Sequence, residues 1–182
     1  MSSEQKVAIV TGASQGIGAG IVEAYRKKGF IVVANSRNIK PSADEGVITV
    51  AGDTSDVSVA ENIVQTAIQK FGRIDTLINN AGIFIGKPFL EYTANDFDDV
   101  MRVNVKGFFN MTQLTLEQML KQKRGHIVQI TTTLVNQPIA GLGVGLASIS
   151  KGGLDAVTRG LAIEYVKEGI RVNAVAPGII KT

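Results

Sequence analysis

The chain has 182 residues, 45% of them hydrophobic, and a formal charge of +3; that length buries one substantial core and not two, so a single domain over 1–182 is expected. Zero cysteines and one histidine exclude disulfides and thiol chemistry and leave no zinc ligand set, so no metal is expected. No uninterrupted apolar run approaches the roughly 18 residues that span a bilayer, and residues 1–5 lack the charged and apolar regions of a signal peptide, so a cytoplasmic protein with no membrane partner is expected.

Short β-branched runs alternate with longer stretches of helical period, the pattern of a parallel sheet covered on both faces. The first run, 6–11, passes into Thr11-Gly12-Ala13-Ser14-Gln15-Gly16-Ile17-Gly18, and a helix is predicted over 16–28. A strand over 30–35 leads into the polar stretch 35–46, which is too short to separate domains and reads as a surface loop. Strand 47–51, a helix over 56–71 with Asp56 as N-cap, and strand 74–78 follow. Asn95 is the expected N-cap of one long helix over 95–121, whose apolar face Asn104 interrupts. A fifth strand covers 126–131, with His126 as a strand-start residue rather than a catalytic base. Gly141, Gly143 and Gly145 read as loop, a helix over about 145–168 carries Lys151, and a sixth strand covers 170–175. Right-handed crossovers then give an α/β, doubly wound parallel sheet of at least six strands.

The basic runs Arg26-Lys27-Lys28 and Lys121-Gln122-Lys123-Arg124 each close a predicted helix, where the helix dipole favours cations. Without interleaved aromatics or a nucleic-acid motif they read as solvated helix ends, and no nucleic-acid partner is expected. The glycine-rich turn is more specific. Directly after a strand and opening a helix, it lets backbone approach a pyrophosphate at the positive helix end, so Gly12, Ser14, Gln15, Gly16, Ile17 and Gly18 read as a dinucleotide site. At the end of the second strand an acid would bind the ribose hydroxyls of NAD, but Ser36 stands there and Arg37 follows. A guanidinium offers a bidentate phosphate contact, which favours NADP over NAD; the alternative is an exposed loop arginine with no ligand.

These landmarks, with Asn79-Asn80-Ala81-Gly82, Asn104-Val105-Lys106-Gly107 and Lys151, stand in the order and rough spacing of the short-chain dehydrogenase/reductase family, which the chain resembles over nearly its whole length. The resemblance implies a Rossmann fold and hydride transfer between a nicotinamide cofactor and a small-molecule carbonyl or alcohol substrate. It implies that Asp53, with Thr54, contacts the adenine, beside the equally open turn or helix-cap role within Asp53-Thr54-Ser55-Asp56. Asn80, Ala81 and Gly82 would admit the cofactor, Asn104 would break its helix and hold a water beside Lys151, and Pro177, Gly178 and Thr182 would meet the nicotinamide carboxamide. Thr132 would replace the serine that hydrogen-bonds the substrate carbonyl, with Thr131 or Thr133 as shifted alternatives. Relatives form homodimers and homotetramers. They also continue with a substrate-covering loop and a seventh strand, so the natural chain is expected to extend beyond Thr182; otherwise strand 170–175 would be an exposed apolar edge.

By the same resemblance Lys151 would bind the nicotinamide ribose and lower the pKa of a tyrosine four residues earlier, and at that position stands Ala147. A phenol of pKa ~10 becomes a usable acid only when a cation stabilises its anion. Ser148 lies nearer than Ser150 to the helix face that 147 and 151 share, but an unactivated hydroxyl is a poor acid. A water ordered by Asn104 and Lys151 is the expected substitute. Two readings remain: an NADP-dependent oxidoreductase with Asn104, Thr132 and Lys151 as its catalytic set, or a nucleotide-binding pseudoenzyme with a sensing or assembly role.

Overall fold

The computed structural model describes residues 5–181. Its six strands are β1 (Val7–Thr11), β2 (Ile31–Ser36), β3 (Val47–Ala51), β4 (Thr76–Asn79), β5 (Gly125–Ile130) and β6 (Ile170–Val175). All pair in parallel, in the order β3-β2-β1-β4-β5-β6. The helices are α1 (Gly16–Lys27), α2 (Val57–Phe71), α3 (Ala94–Val100), α4 (Gly107–Gln122) and α5 (Gly145–Tyr165). Side chains alternate across β1 and divide the core: Val7 and Ile9 join Ile63, Met111 and Leu116 from α2 and α4, whereas Ala8 and Val10 meet Ile21, Val22 and Tyr25 from α1. Burial on both faces explains why the strands read as continuous apolar runs. Among the described residues no helix is long and apolar enough to cross a membrane.

Three local expectations change. Asp56 does cap α2, accepting from Ser58 N, but Asn95 caps nothing. Thr93 is the N-cap of α3: its hydroxyl accepts from Asp96 N while Asp96 accepts from Thr93 N, so a capping box fixes the start. The single long helix is broken into α3, a π-helical turn (Met101–Lys106) containing Asn104, and α4. Arg26 is not merely a solvated helix end. Its guanidinium makes two bonds to Asp44, at 2.9 and 3.0 Å, and donates to Phe30 O, tying α1 to the loop before β3. A side chain at Gly46 would meet that guanidinium and require Arg26 to shift.

As an edge strand β6 is less apolar than its sequence suggested, because Ile170 and Val172 are buried while Arg171 and Asn173 face outward. Next to it, the Gln129 amide on β5 is fully buried with neither polar atom bonded, and the Thr115 hydroxyl on α4 is likewise without a partner. Unmet buried polar groups cost about 1 to 3 kcal/mol each. Gln129→Met, of similar volume, is therefore expected to raise unfolding stability by ~1 kcal/mol or more; a loss of stability in urea titration would show that the amide is satisfied within the sheet.

Candidate active site

The order in which strands are added reverses between β1 and β4: the chain runs from β1 outward to β2 and β3 on one side and from β4 to β5 and β6 on the other. A crevice opens at such a point, at the carboxyl ends of the strands. There lies a cavity of about 640 Å³ lined by Gly12, Ser14, Gln15, Gly16, Ile17, Gly18, Ser36, Arg37, Asp53, Thr54, Asn80, Ala81 and Gly82, among others. Thirteen positions expected from separate motifs are thus brought together.

Close backbone approach builds the floor. Gly12 has φ +64, and a Cβ there would sit 2.9 Å from Ala81 Cα; a Cβ at Gly18 would collide with Gly12 O. Thr11 Oγ accepts from Asn80 N at 3.1 Å and Ala81 N at 3.0 Å, and Asn80 Nδ2 donates to Thr11 O and Gly12 O. The asparagine motif therefore clamps the glycine turn. Asn79 Nδ2 donates to Thr112 Oγ, anchoring the end of β4 to α4. The first turn of α1 carries no acid and its N-cap makes no side-chain bond, so its N–H groups face the cavity uncapped.

On the adjoining wall, Asn35 Nδ2 bonds Val50 O and Gly52 O and fixes the ends of β2 and β3 together. Beyond it the Ser36 hydroxyl is buried without a partner, and the exposed Arg37 guanidinium makes no bond within the described residues. Asp53 does hold its turn, accepting from Ser55 N, and also pairs with Arg102 at 2.5 Å while lining the cavity. Burial works to raise its pKa, but the bonds from Ser55 and Arg102 outweigh it and keep the carboxyl below its ordinary value.

A second cavity, of about 400 Å³, shares Gly82 and Ile83 with the first. Its other walls are Phe84, Leu134, Leu142 and Ile179, with Thr131, Thr132, Ala147 and Lys151. Lys151 Nζ donates to Ile130 O at 2.7 Å and lies 3.2 Å from where a Gly82 Cβ would stand. Burial without any compensating charge lowers its pKa to about 8. Asn104 Oδ1 reaches the same point at 3.2 Å. That oxygen accepts from Ile83 N, and Nδ2 donates to Ile83 O and Ser150 Oγ, which leaves one lone pair on Oδ1 for a water.

The three threonines separate cleanly. Thr131 donates to Val175 O and Thr133 to Pro177 O, whereas Thr132 accepts from Leu134 N and keeps its own proton unused at the cavity wall. Neither Ser148 nor Ser150 lines either cavity; Ser150, fully buried on α5, accepts from Asn104 Nδ2 and donates to Leu146 O, so it holds Asn104 from behind. Pro177 and Gly178 line neither cavity and pack on Thr133, because the backbone there continues the pairing of β5 with β6. Thr182 lies outside the described residues. His126 is half-buried beside Asn173, away from both cavities, and burial lowers its pKa.

Several participants carried no usable sequence signal. Arg102 meets Asp53 across 49 positions, and Ile83, Leu142 and Ile179 contribute only shape. Asn35 had one: a fully buried amide closing an apolar strand needs partners, and those it finds sit at the cavity rim.

The family model described as short chain dehydrogenase matches residues 6–182. The chain is 36% identical over 185 residues to Oxidoreductase UcpA of Salmonella typhimurium, covering 97% of this chain and 70% of that protein. It superposes with TM-score 0.90 and 29% identity on ElxO with NADP bound, covering 97% of this chain and 75% of that one. The 3-ketoacyl-(acyl-carrier-protein) reductase of Brucella melitensis complexed with NADH gives TM-score 0.90 and 30% identity, covering 97% and 77%. Fold, crevice and matched sequence agree, and the chain belongs to the short-chain dehydrogenase family of oxidoreductases.

Proposed function

We propose that the protein is an NADP-dependent oxidoreductase acting on a small carbonyl or alcohol compound. The observation that carries the cofactor choice is the exposed Arg37 guanidinium, which lines the cavity and is unpaired among the described residues, with no acid at the end of β2. The larger cavity suits a dinucleotide: backbone comes close at Gly12 and Gly18, the N–H groups of α1 are uncapped, and Asp53 and Thr54 are in its lining, where they would meet the adenine. Lys151, at the seam of the two cavities, would hold the nicotinamide ribose. The bound cofactor would supply or take the hydride.

In this reading the Thr132 hydroxyl donates to the substrate oxygen. Phe84, Leu134, Leu142 and Ile179 line the substrate side and favour an apolar substrate. Ala147 stands where the family's tyrosine would be, and a water between Asn104 Oδ1 and Lys151 Nζ carries the proton. Exposed Phe109 on α4 and Ile163 on α5 support assembly into a homodimer or homotetramer through the long helices.

Arg37→Asp tests the cofactor choice. Charge-assisted bonds are worth about 1.5 to 3 kcal/mol, so calorimetry should show NADP(H) affinity falling on the order of 10- to 100-fold with NAD(H) little changed. Equal affinities for both nucleotides before and after the change would remove the NADP assignment.

A further inference from the structure

Among the described residues, Lys151 is the single titratable side chain lining the smaller cavity. Among the described residues no charge faces its Nζ: Gly82 and Ile83 come from beyond β4, Asn104 from the π-helical turn, Ile130, Thr131 and Thr132 from the end of β5, and Ala147 from α5. An ammonium here has three donors and one protein acceptor, Ile130 O, which favours the neutral amine. A neutral amine giving one N–H to that carbonyl keeps a lone pair for attack, the condition under which lysines become nucleophiles. We propose that this cavity captures small apolar aldehydes and ketones covalently, with Lys151 Nζ forming an imine in the space that Ala147 leaves open.

The chemistry balances without an oxidant or reductant. The nitrogen lone pair bonds to the carbonyl carbon, the C=O π pair moves to oxygen, and that oxygen takes one nitrogen proton to give a carbinolamine. Loss of the hydroxyl together with the second nitrogen proton, as water, leaves the C=N bond. Thr132, whose proton is unused, can donate to the oxygen as it departs. The apolar walls select a short hydrocarbon chain. Capture depends on the smaller cavity alone and would stand if the dinucleotide reading failed.

With its pKa lowered to about 8, Lys151 is about 10% neutral at pH 7, against about 0.03% for an exposed lysine of ordinary pKa. The test treats the cofactor-free protein with butanal and sodium cyanoborohydride at pH 7 and follows alkylation of each lysine by peptide mass mapping. Lys151 is expected to be alkylated at least tenfold faster than the average exposed lysine. Its rate should level off above pH ~8 while the others go on rising towards ~10.5. Ala147→Phe fills the space without adding a proton and should cut labelling of Lys151 at least tenfold, leaving the exposed lysines unchanged. Lys151→Arg should abolish the fast phase. Labelling of Lys151 no faster than that of exposed lysines, in protein with an intact circular dichroism spectrum, would overturn the proposal, as would indifference to Ala147→Phe.

Discussion

Ala147→Tyr is expected to raise carbonyl reduction by on the order of 100- to 10,000-fold on any substrate the parent chain converts, the usual contribution of a positioned general acid. Residues 147 and 151 lie one turn apart on α5 and both line the smaller cavity, so a phenol at 147 would project into the space beside Lys151 Nζ. Burial there would push the phenol pKa up and the lysine cation would pull it down, so the benefit is greatest where Lys151 is still protonated, below pH ~8. Thr132 already stands at the same wall to fix the substrate oxygen. The measurement is initial rate against pH for both proteins, with cofactor affinity as a control. A variant that folds and binds cofactor but reduces substrate no faster at any pH would show that this protein takes its proton from another group.

What the sequence revealed depended on the range of the interaction involved. The strands and the glycine turn show as local patterns: β1 is buried at every position because both faces are covered, and apolar from Val7 to Val10, and the glycine spacing is legible within one turn even though the contacts that require Gly12 and Gly18 include Asn80 and Ala81 from beyond β4. Asn104 stood out because a polar residue interrupted an apolar helix, and the structure places it in a π-helical turn bonded to Ile83. The start of that helical stretch was misplaced although the needed signal was local, since Thr93 with Asp96 three residues on is a capping pair. Interactions over distance were not legible. Arg26 with Asp44, Arg102 with Asp53, and Asn104 with Ser150 are set by how elements dock, and periodicity does not report docking. Pro177 and Gly178 matched their motif but remain against Thr133, because β6 stays paired with β5 up to Val175.

Lys151→Met is expected to alter stability in a way that depends on pH. The unfolded lysine has a pKa of 10.5 and the folded one about 8, lowered by burial. Between those values the unfolded chain holds a proton that the folded chain lacks, so this group makes stability rise with pH across the window. Its penalty is present in full below about 8 and absent above about 10.5, and at 1.36 kcal/mol per unit it amounts to roughly 3 kcal/mol. Methionine keeps the chain length without the charge and escapes the penalty. It also removes the bond to Ile130 O, at a cost of about 1 to 3 kcal/mol that does not vary with pH. The informative quantity is thus the change in the difference between the two proteins. From pH 7 to pH 10.5 in urea unfolding, wild type should gain about 3 kcal/mol relative to the variant, while exposed lysines and tyrosines titrate alike in both and cancel. A difference that stays constant over this range would mean that Lys151 is charged in the folded protein throughout, held by an acceptor that one carbonyl bond does not supply.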